Sequence, residues 1–326
     1  MSKEPRILPQ PGDKVLWIRL SAFGDILQAA ASAQRFKMKY PEVRLTFLTQ
    51  PKYAEILEAQ PYIDECMYWD VKKRPQDFFK TVARVRASNF DWLFSMHRVG
   101  SAAFVALFSG IYWRFGYNRV LGFSYRMTQG EFFDSVGLDV ELRDEPAIFT
   151  TPANREKADS LLSGLPEKKI FAVIGASKPQ KFWPVRHWKI FLGEALNQGW
   201  GVVLNGHGEI EANIAKEIES ELRNESLLNL VGQLQFPLMA AVAQACSVAV
   251  GNDTGPLHLA ALAGIPTLGF FGVTNAYRAG FRMPWFRDVR VTCPNEGCWN
   301  YHCPVECLAE ISPEKALNAF RDFMNC

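Results

Sequence analysis

The sequence predicts an α/β protein of two domains, each a parallel sheet covered on both faces by helices. Three observations carry that prediction. Short apolar runs alternate with longer amphipathic or Ala-rich stretches, the order expected when parallel strands are joined by crossover helices. The alternation stops at a polar, proline-bearing join, Thr150 to Lys169, and then restarts. At 326 residues the chain is long enough for two domains of ordinary size, each with its own core.

In the first half, Lys14-Val15-Leu16-Trp17-Ile18-Arg19-Leu20 reads as a buried strand. Ser21-Ala22-Phe23-Gly24-Asp25 turns the chain into an Ala-rich helix from Ile26 to about Tyr40, where Pro41 stops it. Val43 to Leu48 is the next strand, and Trp92-Leu93-Phe94-Ser95 a further one ending at Met96-His97-Arg98. Beyond the join come a strand at Ile170 to Ile174, a helix from Trp188 to Asn197, a strand at Gly201 to Leu204 and a helix from Ile210 to about Leu222. Cys246 to Val250 is an apolar strand; Leu257 to Ala263 is a helix stopped by Gly264 and Pro266; Thr267 to Phe271 is a strand. The economical architecture is two Rossmann-like domains, residues 1–160 and 161–326, with parallel sheets facing across a cleft and the last helix free to pack back on the first domain. Ligands of such sheets bind at the carboxyl ends of strands.

Hydrophobic content of 48% and charged content of 21% are those of a soluble globular protein. No apolar stretch reaches the roughly 18 residues of a membrane span. Met1 to Pro11 is polar and lacks the apolar core of a signal peptide. A cytoplasmic protein is expected. The net charge of +2 is unevenly spread. Between Lys72 and Arg126 ten basic side chains stand against Asp77 and Asp91, interleaved with Phe, Trp and Tyr. A solvated basic face, a nucleic acid, an anionic membrane surface and an acidic substrate all suit that excess; nothing else in the chain recommends nucleic acid. Four of the seven cysteines, Cys293, Cys298, Cys303 and Cys307, cluster with spacing C-x4-C-x4-C-x3-C. That spacing lacks the paired C-x2-C knuckles of structural zinc, and it favours a thiol-packed loop over a metal-binding one.

The stretch from Gly251 to Ala261 is the most informative. It places Asp253, Thr254 and Gly255 on a strand-to-helix turn, where unpaired amides and the positive end of the helix dipole form a seat for phosphate. Asp and Thr also cap helices that bind nothing. His258, however, follows Thr254 by one helical turn, and capping alone does not call for an imidazole there. Gly175 to Pro184 follows the preceding strand with Ser177, Lys178 and Lys181; a lysine is a compact charge suited to a phosphate oxygen. Asn205-Gly206-His207-Gly208-Glu209-Ile210-Glu211 follows the next strand with acids placed for ribose hydroxyls. Together these three loops describe a nucleoside-diphosphate site. In the first half, Asp25 stands at the mouth of the first strand beside Ser21 and Gly24, placed either as a helix cap or as a general base. No Gly-x-Gly-x-x-Gly or Walker loop is present, which argues against a dinucleotide-dependent oxidoreductase. No Asp-x-Asp pair offers a carboxylate-held metal, so no cofactor is expected.

These segments resemble the family 9 glycosyltransferases, the ADP-heptose:lipopolysaccharide heptosyltransferases. Arg19 to Asp25 resembles the family's R-x-S-x-x-G-D start; Lys181-Phe182-Trp183-Pro184 with His187-Trp188 resembles its K-x-W-P…H-W segment; Asp253 to Ala261 resembles its D-T-G-x-x-H-x-A-A signature. The resemblance implies a GT-B fold, with the acceptor domain first and the nucleotide-sugar domain second. It implies Asp25 as catalytic base, Ser21 and Gly24 beside the substrate, and Lys181 on the phosphates with Ser177 near them. It further implies Asp253, Thr254, Gly255 and His258 against ADP, and Glu209 or Glu211 on the ribose. A Cys-containing loop before the last helix also fits the family. One segment departs from it: Met96 to Ser101 has Gly100 before Ser101, with Arg98 as the basic residue. Arg98, Arg119 and Arg126 are therefore the candidates for gripping acidic sugar or phosphate groups.

The expected activity is inverting transfer of a heptosyl group from ADP-heptose to the inner core of a lipid-anchored, anionic saccharide, with peripheral contact at the inner membrane face. The rivals are a same-fold transferase using another nucleotide sugar or a protein acceptor, and a non-catalytic nucleotide- or saccharide-binding protein.

Overall fold

Val15 to Ile18 are wholly inaccessible to solvent, which is why their run shows no polar alternation: a parallel strand covered on both faces must be apolar on both. The structure, a computed structural model, describes residues 8–97, 100–116, 125 and 127–325. It divides into two compact units, Met1–Leu142 and Arg143–Cys326.

In unit 1 the strands are β1 (Lys14–Ile18), β2 (Arg44–Thr49), β3 (Glu65–Tyr68), β4 (Trp92–Ser95), β5 (Trp113–Gly116) and β6 (Met127–Thr128), in spatial order 3-2-1-4-5-6. The helices are α1 (Phe23–Lys39), α2 (Ala54–Glu58), α3 (Phe78–Ala87), α4 (Gly100–Phe108) and α5 (Gln129–Ser135). An aromatic core fills one face: Phe94 packs on Trp17 at 5.1 Å and on Phe115 at 4.9 Å between ring centroids.

Unit 2 repeats the plan with β7 (Lys169–Val173), β8 (Gly201–Asn205), β9 (Leu227–Asn229), β10 (Val248–Asn252), β11 (Thr267–Phe271) and β12 (Phe286–Arg290), ordered 12-11-10-7-8-9. Its helices are α6 (Pro152–Leu162), α7 (Val185–Asn197), α8 (Glu209–Leu222), α9 (Phe236–Gln244), α10 (Gly255–Leu262) and α11 (Pro313–Met324). All strand pairs in both sheets are parallel. Gly251 permits the closest approach, since a Cβ there would lie 2.5 Å from the Val173 carbonyl oxygen.

Two boundaries differ from the sequence expectation, each for a local reason. Residues 143–160 belong to unit 2: the amides of Ala147 and Ile148 both donate to the Leu262 carbonyl, and α6 packs on α9. Helix α1 begins at Phe23, because the Asp25 carboxylate reaches back to the Ala22 amide at 3.1 Å. Gly24 therefore sits in a helical turn. The last helix, α11, packs on α7 and β12 of its own unit, with Phe320 5.5 Å from Phe191 and 5.2 Å from Trp200. Among the described residues, no helix is long and apolar enough to cross a membrane.

Candidate functional site

Each sheet has one place where neighbouring strands send their connections to opposite sides, β1/β4 in unit 1 and β7/β10 in unit 2. Such switch points open a crevice at the strand ends; Asp25 follows β1, Lys181 follows β7 and Asp253 follows β10.

In unit 2 the loop after β7 is pinned at two points. Trp183, 1% exposed, buries its ring against Phe270 at 4.5 Å and donates its indole N–H to the Ile311 carbonyl at 2.8 Å. Asn252, at the end of β10, accepts from the Trp183 amide at 3.1 Å and donates to the carbonyls of Ile174 and Gly175 at 2.9 and 3.3 Å. This one buried amide joins the ends of β7 and β10. Sequence reasoning missed it, although a polar residue closing an apolar strand was a visible signal.

That pinning delivers Lys181 to Asp253. The ammonium donates to the carboxylate at 2.6 Å and to the Asp253 carbonyl at 2.9 Å, leaving one of its three protons for a ligand. The other carboxylate oxygen lies 3.4 Å from His258 Nε2. The His258 ring is stacked on Phe281 at 4.1 Å. Burial alone would push the Asp253 carboxyl up, but the His258 hydrogen bond and the Lys181 charge outweigh it and hold the group well below the usual carboxylate range. Asp253, 3% exposed, thus holds both Lys181 and the His258 ring.

Thr254 caps α10 in extended conformation without using its side chain, and its buried hydroxyl meets no partner among the described residues. Pro256 has no amide proton, and the amides of Leu257 and His258 turn back to the Thr254 carbonyl. Among the described residues, the amides of Thr254 and Gly255 at this helix start are left without a partner, fewer than the four expected.

The two acids after β8 separate cleanly. Glu209 is exposed, whereas Glu211 is buried against the strand ends: a Cβ on Gly175 would lie 2.9 Å from its Oε1, and one on Gly206 2.7 Å from its Cβ. Ser177 is exposed on the neighbouring loop.

In unit 1 the Asp25 side chain, 57% exposed, pairs with Arg19 at 2.5 Å. Arg19 is itself held by the Met96 carbonyl at the end of β4. Next to it His97 is 8% exposed, with Nδ1 unpartnered among the described residues. Burial and then the Arg19 charge push this imidazole down to about 4, against the pull of Asp25. Ser21 is half-buried before α1. Arg98, Arg119 and Arg126 lie outside the described residues. Sequence reasoning passed over the Arg19 and His97 roles, since their pairing spans separate strands.

The thiol of Cys307 is pushed up by burial and then by the neighbouring Cys303, Cys293 and Cys298, so the four do cluster. Among the described residues no group of three or more His, Cys, Asp or Glu is placed to hold a metal ion.

A family model described as glycosyltransferase family 9 (heptosyltransferase) matches residues 130–309. Lipopolysaccharide heptosyltransferase 1 of Campylobacter coli is 23% identical over 309 residues, covering 82% of this chain and 86% of its own. The fold is similar to a solved family 9 glycosyl transferase from Veillonella parvula DSM 2008, with a TM-score of 0.84 at 17% identity over 98% and 99% of the two chains. It is also similar to E. coli heptosyltransferase WaaC with ADP-2-deoxy-2-fluoro heptose, with a TM-score of 0.71 at 16% identity over 95% and 99%. Since the family model spans more than half of its length, the chain belongs to glycosyltransferase family 9 and is a glycosyltransferase of the GT-B fold.

Proposed function

We propose that the protein transfers a heptosyl group from ADP-heptose to a hydroxyl of a lipopolysaccharide core saccharide, with inversion at the anomeric carbon. The observation that carries this reading is that the ends of the neighbouring strands β10, β7 and β8 carry, in turn, the α10 start, Lys181 held on Asp253, and the buried Glu211. A nucleoside diphosphate needs that set: cationic and amide donors for the pyrophosphate, and an acceptor for ribose hydroxyls. The heptosyltransferases similar to this chain, one of them solved with an ADP-heptose analogue, support heptose as the sugar.

In the reaction, the acceptor oxygen forms the new bond to the anomeric carbon while the bond to the β-phosphate oxygen breaks, and ADP leaves with the electron pair. Asp25 takes the acceptor proton, with Arg19 holding the carboxylate in place. Lys181 and the α10 amides stabilise the charge growing on the departing phosphate. Asp253, anionic and enclosed, faces Lys181 and His258 and keeps Lys181 aimed. Glu211 accepts from the ribose.

The direct test is consumption of ADP-heptose, UDP-glucose and GDP-mannose by the purified protein, with and without a heptose-deficient lipopolysaccharide. The reading expects ADP-heptose alone to be consumed and its sugar to appear on the acceptor; use of a hexose donor in its place would overturn it. Glu211→Gln keeps the shape packed against Gly175 and Gly206 yet removes the charge. It should weaken ADP binding about tenfold, roughly 1.4 kcal/mol, whereas Glu209→Gln should change nothing measurable by calorimetry. The basic segment between Lys72 and Arg126 suits an anionic membrane face, so flotation with anionic liposomes is expected at low salt and its loss at high salt. Absence of binding at both would remove the membrane contact.

A further inference from the structure

The four thiols between Cys293 and Cys307 are all reduced, and glycosyl transfer gives them no task. Cys298 is exposed, Cys293 and Cys303 are half-buried, and Cys307 is 5% exposed. Cys307 is packed directly on the chain just after β11: a Cβ on Gly272 would lie 2.9 Å from its own Cβ. Its thiol turns back along the sequence and donates to the Val305 carbonyl at 3.7 Å, halfway to Cys303. Burial first, and then Cys303 ahead of Cys293 and Cys298, pushes that thiol up. Of its three neighbours, Cys303 thus acts on it most strongly. Cys303 in turn lines an open, mainly apolar cavity of about 470 Å³, together with Phe182, Ile210, Ile214 and Val305. That volume lies within the roughly 300–1,000 Å³ of small-ligand sites, so a small reagent reaches the Cys303 segment from solvent.

The same segment carries the loop of Lys181. Gln180 donates through Nε2 to the Cys303 carbonyl at 3.5 Å. The Lys178 ammonium stands 5.9 Å over the Tyr301 ring. The short 3₁₀ turns Pro179–Lys181 and Cys307–Glu310 pack on each other, and the Trp183 indole donates to the Ile311 carbonyl. We propose that Cys303 and Cys307 are a thiol modification site, joined into a disulfide by a low-molecular-weight disulfide, and that this bond lowers affinity for the nucleoside diphosphate. This control rests on the reading of Lys181 as a pyrophosphate ligand. In the first step the Cys303 thiolate attacks one sulfur of the reagent RS–SR; the S–S bond breaks, and RS⁻ leaves and takes up a proton. Cys307 then loses its proton, attacks the Cys303 sulfur and expels the second RSH. Two protein thiols are oxidised and one disulfide is reduced to two thiols, so electrons and protons balance. Its raised thiol keeps Cys307 protonated at neutral pH, which leaves the first attack to Cys303. A disulfide holds its Cβ atoms about 3.5–4.5 Å apart. Cys307 is wedged against Gly272, so the adjustment falls on Cys303, whose carbonyl is the one that Gln180 contacts.

The test takes the full-length protein, reduced and then incubated with millimolar glutathione disulfide. Alkylation and peptide mapping follow, and ADP affinity is read by calorimetry. The expected product is a peptide in which Cys303 and Cys307 are joined, with Cys293 and Cys298 outside the bridge. Its Kd for ADP should exceed that of the reduced protein by roughly fivefold or more, the low end of ordinary coupling between sites, and dithiothreitol should restore it. Cys307→Ser should trap glutathione on Cys303. Cys303→Ser should bind ADP equally with and without the oxidant, and ADP binding by both reduced variants is the check on folding. Thiols untouched by the oxidant, a different pairing, a disulfide that leaves the ADP Kd unchanged, or a response that persists in Cys303→Ser would each overturn the proposal. A protein that forms the disulfide yet binds no ADP when reduced would condemn the donor reading and leave the thiol pair standing.

Discussion

Asp25→Asn is expected to cut glycosyl transfer by about 10²–10⁴, the usual worth of a positioned general base, while leaving ADP binding and the fold intact. The substitution is gentle by design. Asparagine keeps the side-chain oxygen that accepts from the Ala22 amide, so the start of α1 survives. Arg19 loses its counter-charge but keeps its bond to the Met96 carbonyl, and the asparagine oxygen stays beside it as an acceptor. Asp25 is more than half exposed, at 57%, so no buried charge is created or removed. What disappears is the ability to take a proton. The loss should fall on kcat, with the KM of the donor unchanged, because an interaction made only as the proton moves does not hold the ground state. Near-full turnover by the purified variant would show that Asp25 is a helix-capping residue only.

Local pattern made part of this site legible before any coordinates. His258 sits one turn after Thr254, a relation that a helix makes automatically. The repeat of strand and helix after Thr150 announced a second sheet. The remainder depends on residues distant in sequence. Lys181 meets Asp253 across 72 residues, so its role as a mounted charge could not be read from either motif by itself. Whether Glu209 or Glu211 faces the strand ends turned on where α8 begins, a boundary that side-chain periodicity does not resolve. The short edge strands β3, β6 and β9 have too few residues to register as periodic. Arg98, Arg119 and Arg126, singled out from charge, stay outside the described residues.

Asp253→Ala should be the most destabilising single change at the donor site, by about 3–5 kcal/mol, because it leaves Lys181 partly buried without its counter-charge. Lys181 is only 12% exposed. For a unit of this size that loss corresponds to a melting temperature lower by roughly 10 °C. Acid should mimic the change. Folding lowers the Asp253 carboxyl below its ordinary value of about 3.9. The stabilisation is therefore complete at pH above that value and fades as pH falls towards the lower, folded one. Wild type should lose stability in that acid window, and Asp253→Ala should lack that component. Ligand response separates the structural role from the functional one. At a hundredfold excess over Kd, ADP should stabilise wild type by about 2.7 kcal/mol. The pair Lys181→Met with Asp253→Asn removes both charges together and should recover much of the lost stability, yet its melting temperature should not respond to ADP. A full ADP shift in that double variant would mean that the pair holds the loop after β7 without seating the pyrophosphate.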